Sequence, residues 1–399
     1  MIPPRSPKGA SRADARPRIG GRVDPAFRAL GVRFAERLAD AELGAALAVT
    51  VDGQRVVDLW GGWRDRARTR PWRRDTLVCA FSATKAVAAL CALQAVAEGV
   101  LELDAPLADV WPELIGEGRE TITLRHALAH RTGLVGFARD TQLAFEDLYD
   151  WPRTIELLQQ ERPWWTPGTA HGYHARTFGF LLGEPLRRAS GMTLGAWLRA
   201  RITGPRDLDL HIGLAAADHE RCADLTPSGV EARIPEASRP MMQAMGDPAT
   251  ATAAAFSNPS APRGFMNTAA FRGAELPAMN GHATARAFAD LYGALAIGDE
   301  TLCPASLLAE ATRPQSEGDD SVLLQETCFG LGFMLSRPAL EVGLSTASFG
   351  HAGAGGSLAF ADPEARVGFC FLMNRMRPGA VTGNDSAIAL LDTLRECLA

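Results

Sequence analysis

The sequence FSATKAVAALCALQAVAEG, residues 81–99, decides the fold. After the serine at position 82 it continues as an apolar pattern without a polar face, which indicates a helix buried on all sides. Gly99 is predicted to end this helix, because glycine readily takes the left-handed conformation that follows a helix C-terminus. Ser82 and Lys85 are three residues apart, so their side chains share one face of the helix within hydrogen-bond reach. The N-terminus of the helix also favours developing negative charge beside Ser82.

Lys85 is chemically unusual in such a helix. The chain has 41 basic residues, and only Lys8 and Lys85 among them are lysines. Burial penalises the charged ammonium and lowers the pKa of a lysine toward the range in which it accepts a proton. Arginine, which supplies every other basic position, cannot do this. We therefore predict that Lys85 is a base that activates Ser82 as a nucleophile.

Both ends of the chain have the pattern of strands. Residues 43–60, LGAALAVTVDGQRVVDLW, predict two strands around the Asp52-Gly53 turn. From Phe329 onward the residue pattern is again typical of strands, and Asp362-Pro363 marks a turn between two apolar strands. Residues 386–398 predict a closing amphipathic helix that covers one sheet face with its apolar residues. Those residues are Ile388, Leu390, Leu391, Leu394 and Leu398.

Between the two ends, the Ala, Leu and Arg patterns of residues 80–309 are mostly helical. The sequence therefore predicts an α/β fold, with an antiparallel sheet built from both chain ends, flanking helices and a large helical insertion. The predicted parts are a disordered tail (1–22), a sheet domain (23–78 plus 328–399) and a mainly helical domain (79–327), with the active site in the cleft between the two domains.

Bulk properties restrict the partners. The net charge of −5 offers no basic face for phosphates, so we expect a small-molecule substrate and no nucleic acid. No apolar run reaches the length of a membrane span, and residues 1–21 lack the apolar segment of a secretory signal, so a cytoplasmic protein is expected. The oligomeric state, monomer or homodimer, is left open.

No cofactor or metal is expected. The seven cysteines are scattered without a C-x-x-C pair, which indicates buried thiols and no zinc site or disulfide framework. His126 and His130 stand four apart, but no third ligand is near, so capping or packing is the preferred interpretation.

The pair Ser82 and Lys85 is part of a wider resemblance. The sequence resembles the β-lactamase-like serine hydrolase superfamily, and most closely its family VIII carboxylesterases. The resemblance spans residues 25–399 and is carried by six motifs in order. They are FSATK (81–85), GVLELDAP (99–106), LRHALAHRTGL (124–134), WTPG (165–168), GYHA (172–175) and FGHAGAGGS (349–357).

The resemblance implies further site residues. Tyr173, similar in position to the tyrosine of a Y-x-N-like motif, would complete the proton relay. The Ala354 and Ser82 N–H groups would form the oxyanion hole, and Gly353 and Gly355 would let substrate lie close to the backbone. Substrate-binding roles are also expected for His351, His174 and Trp165.

Two departures from the family pattern favour neutral esters. The β-lactamases carry Lys-Thr-Gly where this chain has His351-Ala352-Gly353, and a neutral imidazole with a methyl group holds a carboxylate poorly. Ala175 replaces the Asn of the tyrosine motif and removes an amide that could bind a lactam. No G-x-S-x-G motif is present, which argues against a Ser-His-Asp hydrolase.

We therefore predict a serine carboxylesterase for short- to medium-chain esters. The same acyl-enzyme could instead serve an acyltransferase, a transesterase or a penicillin-binding-type peptide cyclase, and a β-lactamase is a weaker alternative. A non-catalytic binding protein that kept the cleft is the third possibility, against which the intact Ser82, Lys85 and Tyr173 argue.

Overall fold

Both ends of the chain meet in one antiparallel sheet. A computed structural model describes residues 18–138, 140–227, 236–337, 341–377 and 384–399. Within these ranges, nine strands follow the order β1-β3-β2-β12-β11-β10-β9-β8-β7, and β4, β6 and β5 form a small second sheet. The strands are β1 (Ile19–Val23), β2 (Gly44–Val51), β3 (Gln54–Gly62), β4 (Val78–Cys79), β5 (Leu210–His211), β6 (His282–Ala283), β7 (Ser316–Asp319), β8 (Glu326–Phe329), β9 (Met334–Leu335), β10 (Phe349–Gly353), β11 (Ser357–Asp362) and β12 (Val367–Met373).

Helices cover this sheet and fill the middle of the chain. They are α1 (Arg28–Asp40), α2 (Thr84–Ala97), α3 (Leu124–Leu128), α4 (Trp151–Leu158), α5 (Thr177–Ser190), α6 (Leu194–Trp197), α7 (Arg239–Ala244), α8 (Ala251–Phe256), α9 (Ala269–Gly273), α10 (Ala285–Ala296), α11 (Ala305–Ala311) and α12 (Asp385–Leu398). In the described ranges, none of them is both long and apolar enough to cross a lipid bilayer.

The predicted local elements are confirmed. The β2–β3 hairpin turns at Asp52 and Gly53, both with positive φ, as an Asp-Gly two-residue turn requires. Strands β11 and β12 join after Asp362. Helix α2 is buried from Thr84 to Ala95, and Gly99 follows it with a φ of 70°.

Side chains of β2 alternate between two layers of helices. Ala45, Leu47 and Val49 belong to a core cluster that includes the buried residues of α1 and α12. Ala46 and Ala48 belong to the other large cluster, which contains α2 and α10. Because successive side chains of a strand point to opposite faces, the sheet is covered by helices on both sides.

The structure differs from the prediction at two boundaries and in the apolar face of the last helix. Residues 19–22 of the expected disordered tail form edge strand β1 with β3, whereas residues 1–17 lie outside the described residues. The second sheet segment begins at Ser316 and not at 328. Helix α10 was expected in the helical domain, but it packs on strands β12 and β2. In α12, Leu390, Leu391 and Leu394 are buried, but Ile388 and Leu398 are 47% and 36% exposed and do not cover the sheet.

Candidate active site

Ser82 lies in a short 3-10 turn, Phe81–Ala83, directly before α2. The preceding Phe81 has a φ of 45°, a left-handed conformation that is costly for a bulky side chain and that typically occurs at functional sites. This turn leaves Ser82 partly exposed at the start of an otherwise buried helix. The Ser82 hydroxyl therefore faces open space while its neighbours are fixed in the core.

The predicted contact between Lys85 and Ser82 is present. The Lys85 Nζ lies 3.3 Å from the Ser82 Oγ and donates hydrogen bonds of 2.9 Å to the carbonyl oxygens of both Ala175 and Ala278. Lys85 is fully buried, and burial holds its pKa well below the ordinary lysine value. A neutral amine has two N–H groups for the two carbonyls and a lone pair left to accept the Ser82 proton.

The same surroundings also tolerate the protonated form. Two carbonyl acceptors stabilise an ammonium, and the Lys85 Nζ lies 4.6 Å from the ring centroid of Tyr173, which is a cation–π distance. Burial favours the amine at rest, and these contacts stabilise the cation once it has accepted a proton. Both states are needed by a group that takes a proton and returns it.

Tyr173 is buried, and its phenol lies beside the Ser82 side chain. Burial raises the pKa of the phenol well above its usual value, while the Ser82 contact opposes this rise and the charge of Asp320 adds to it. Tyr173 is thus a protonated phenol over the ordinary pH range. It can donate a proton or a hydrogen bond, but it is a poor resting base.

Aromatic rings pack against the Tyr173 ring. The ring centroids of His130 and Phe329 lie 5.1 and 6.1 Å from that of Tyr173. The Nδ1 of His130 accepts the backbone N–H of His174 at 3.1 Å, which fixes the chain on the C-terminal side of Tyr173. Burial lowers the pKa of His130 well below its ordinary value, so this support is neutral.

A cavity of about 280 Å³ opens in front of these groups. Ser82 and Tyr173 lie on its wall together with His351 and the backbone of residues 352–355. Among the residues that the structure describes, the rest of the wall is apolar except for Arg377. The apolar side chains are Met241, Phe256, Leu323, Met334 and Met376.

Strand β10 brings the predicted glycine-rich segment to this cavity. His351 lines it as a neutral ring, because burial lowers the pKa of His351 to about 3. Its Nδ1 lies 2.7 Å from the Ala352 carbonyl, so Nδ1 carries the ring proton. Ala354 stands in the β10–β11 turn on the cavity wall, beside the buried Gly353 and Gly355.

Gly353 is required by a close approach of two backbones. A Cβ at this position would collide with the carbonyl oxygen of Ala80, immediately before the Ser82 turn. We predict that Gly353→Ala shifts β10 away from Ser82 and lowers kcat by about 10- to 100-fold, because small misplacements of catalytic groups are costly. Ester hydrolysis rates and melting temperatures measure this.

Gly273→Ala is the matched control for this prediction, since a Cβ there would make only an ordinary 3.9 Å contact. It should leave both quantities unchanged. Wild-type kcat in Gly353→Ala would contradict the requirement for close approach.

Two predicted binding residues do not line the cavity. His174 is fully buried behind Tyr173, where its Nδ1 donates to the Gly172 carbonyl at 2.7 Å and its Nε2 lies 2.6 Å from the Thr132 hydroxyl. Burial lowers the pKa of His174 to about 3. Trp165 packs over Gly172 and donates its indole N–H to the Arg131 carbonyl at 3.3 Å. Both residues therefore support the Tyr173 loop and do not contact the cavity.

His126 and His130 are not on one helix face. Helix α3 ends at Leu128, and His130 follows with a left-handed φ of 58°. His126 forms a capping box with Thr123, as expected. The described residues contain no group of three or more histidine, cysteine or acidic side chains that could hold a metal.

The apolar cavity wall and Asp320 were not predicted. The wall residues come from five separate segments, and none of them carries a local sequence signal. Asp320 is a buried carboxylate that accepts the backbone N–H of Tyr173 at 3.0 Å. The polar run Asp319-Asp320-Ser321 is typical of a turn in which an aspartate binds nearby backbone N–H groups, so it could have drawn attention to this loop.

Known proteins resemble this chain in sequence and fold over nearly its whole length. A family model described as "Beta-lactamase" matches residues 32–393. The sequence is 33% identical over 395 residues to the "Esterase/beta-lactamase LipL" of Mycobacterium tuberculosis, covering 97% of this chain and 90% of that protein.

Two solved structures are similar over 95% of this chain and 100% of theirs. One is a penicillin-binding protein homolog from Caulobacter crescentus, with a TM-score of 0.86 and 39% identity. The other is a family VIII carboxylesterase, with a TM-score of 0.85 and 33% identity.

Proposed function

The chain belongs to the beta-lactamase family, and from this premise we propose that it is a carboxylesterase that cleaves short- to medium-chain esters through an acyl-enzyme on Ser82. Serine hydrolase chemistry of the esterase type follows from the family and from the relatives. The observation that carries the finer assignment is the buried Lys85 amine, 3.3 Å from the Ser82 hydroxyl, with its two N–H groups engaged by carbonyls.

In acylation, the Ser82 oxygen attacks the ester carbonyl while its proton passes to the Lys85 amine. The new bond joins Ser82 Oγ to the acyl carbon, and the carbonyl π electrons move to the oxygen. The Ser82 and Ala354 N–H groups are the proposed donors to this oxyanion, one at a helix start and one in the β10–β11 turn.

Collapse of this intermediate expels the alcohol. The Tyr173 phenol, with its raised pKa, is the proposed donor of the proton that the leaving alkoxide needs. The Lys85 ammonium, which lies against the Tyr173 ring, then gives its proton to the Tyr173 phenolate, so that both groups return to their starting forms. A water molecule then attacks the acyl-enzyme carbonyl with the same proton transfers. This step releases the acid and restores the Ser82 hydroxyl.

The cavity supports the choice of substrate. Its volume is close to the lower end of the range for small-molecule sites, and five of the described residues on its wall contribute large apolar side chains. A neutral His351 followed by Ala352 gives strand β10 no cation for the carboxylate of a lactam antibiotic, so Arg377 would be its one charged partner among the described wall residues.

A panel of p-nitrophenyl esters of increasing chain length, assayed beside a chromogenic cephalosporin, tests the proposal. We expect turnover of short and medium acyl chains and little or no turnover of the cephalosporin. Adding an alcohol to the ester assay measures transfer against hydrolysis. Efficient cephalosporin cleavage without ester cleavage would contradict the carboxylesterase assignment.

The pH dependence of kcat/KM should have a single acidic limb. The lowered pKa of Lys85 means that the amine is active above that pKa and is lost by protonation below it. The rate should therefore fall about tenfold per pH unit as the pH drops through the Lys85 pKa. The raised pKa of Tyr173 predicts no matching alkaline loss up to about pH 10. A bell-shaped profile with an alkaline limb near pH 8 would contradict these assignments.

A further inference from the structure

Asp320 lies between β7 and β8, in a loop that reaches the cavity. It is 1% exposed, and its Oδ1 accepts three backbone N–H groups: those of Tyr173 at 3.0 Å and of Val322 and Leu323 at 2.8 Å each. The Thr327 hydroxyl donates to Oδ2 at 3.4 Å. One carboxylate therefore binds the Tyr173 loop and its own loop together.

No cation pairs with this carboxylate among the residues that the structure describes. Every described arginine or lysine lies beyond salt-bridge distance of Asp320. A buried charge without a cation is costly unless hydrogen bonds satisfy it. Three N–H donors converging on one oxygen are short, charge-assisted bonds that stabilise one particular placement of the two loops.

Each segment joined by Asp320 contributes to the cavity wall. Tyr173 brings the phenol beside Ser82, and Leu323 is part of the apolar wall. The carbonyl of the adjacent Val322 accepts the hydroxyl of Thr252 in α8 at 2.7 Å. Helix α8 ends at Phe256, another wall residue.

We propose that Asp320 is a positioning residue that fixes the Tyr173 phenol and the Leu323 side of the acyl cavity as one unit. This role rests on the proposed function of the site. Asp320 does not touch the reacting atoms and acts through the backbone of Tyr173. Its charge also adds to the raised pKa of the phenol, which keeps Tyr173 in the donor form.

Asp320→Ala and Asp320→Asn test this role with p-nitrophenyl acetate and p-nitrophenyl hexanoate. Alanine removes every acceptor, so we expect kcat for both esters to fall by roughly 100-fold. KM for the hexanoate should rise more than KM for the acetate, because Leu323 is part of the wall. Asparagine keeps an oxygen at Oδ1 and should restore part of the activity, to within about tenfold of wild type.

Asp362→Asn is the matched control. Asp362 is also a fully buried carboxylate held by hydroxyl and backbone donors, with Ser348 Oγ at 2.6 Å and Ala365 N at 2.8 Å, but it sits at the β11–β12 turn. The Asp362→Asn variant should have a lower melting temperature than wild type. Its kcat and KM, measured below that temperature, should stay near wild type. Wild-type kinetics in Asp320→Ala, or an equal kinetic loss in Asp362→Asn, would overturn the proposal.

A fluorophosphonate probe separates this inference from the proposed function. If wild type hydrolyses neither ester, the carboxylesterase proposal fails on its own. The positioning role is then measured by the rate at which the probe labels Ser82, which should be at least several-fold slower in Asp320→Ala. Equal labelling rates would refute the role of Asp320 whatever the substrate is.

Discussion

Replacing Ser82 with alanine is expected to abolish ester hydrolysis. The change removes the only atom proposed to bond to the acyl carbon. We expect the rate to fall by roughly 10⁴-fold or more, to the level of uncatalysed hydrolysis. Covalent labelling by a fluorophosphonate should also disappear, and intact mass spectrometry measures it.

Ser357→Ala is a matched control for this loss. Ser357 is buried at the start of β11, and its hydroxyl has no hydrogen-bond partner among the described residues. Removing an unsatisfied buried hydroxyl should leave the activity intact and the fold at least as stable. Residual labelling of Ser82→Ala at the wild-type rate would show that another residue is the nucleophile.

Replacing Lys85 with methionine has the second largest expected effect. Methionine is similar in length and apolar, so it suits the buried helix, but it offers no lone pair to take the Ser82 proton. We expect kcat to fall by about 10²- to 10⁴-fold, the usual contribution of a general base. The p-nitrophenyl acetate assay gives this number, and thermal melting checks that the fold persists.

Two further variants make the Lys85 result specific. Gln94→Met introduces the same side chain at another buried position of α2 and should leave kcat near wild type. Lys85→Arg retains a cation but cannot deprotonate, so it should not restore the rate. Full activity in Lys85→Arg would mean that positive charge, and not proton transfer, is what the site needs.

The part of the active site that depends on local spacing was predictable from the sequence. Ser82 and Lys85 are one helical turn apart, so the pattern alone predicts their contact. The β2–β3 hairpin was predictable for the same reason, because Asp52-Gly53 fixes the turn locally.

The direction in which a loop side chain points was not predictable from its position in the sequence. His174 follows Tyr173 directly, yet Tyr173 lines the cavity while the His174 ring is fully buried and bonds to Gly172 and Thr132. Adjacency in sequence predicted a shared pocket, and the backbone geometry separates the two residues.

Contacts between residues far apart in the sequence were also not predictable from local sequence patterns. Residues 19–23, IGGRV, have little apolar character, and β1 is held by backbone pairing with β3 along the sheet edge. The cavity wall likewise combines residues from Met241 to Met376, which only the folded chain brings together.

The ionisation of Lys85 can be measured directly, because the chain has only two lysines. Lysine labelled with ¹³C at Cε should give two NMR signals, and Lys85→Met identifies one of them by its loss. We predict that this signal titrates at a pKa well below the usual value of about 10.4, because burial disfavours the ammonium. A Lys85 signal that titrates at about 10.4, as an exposed lysine does, would contradict the role of Lys85 as the base.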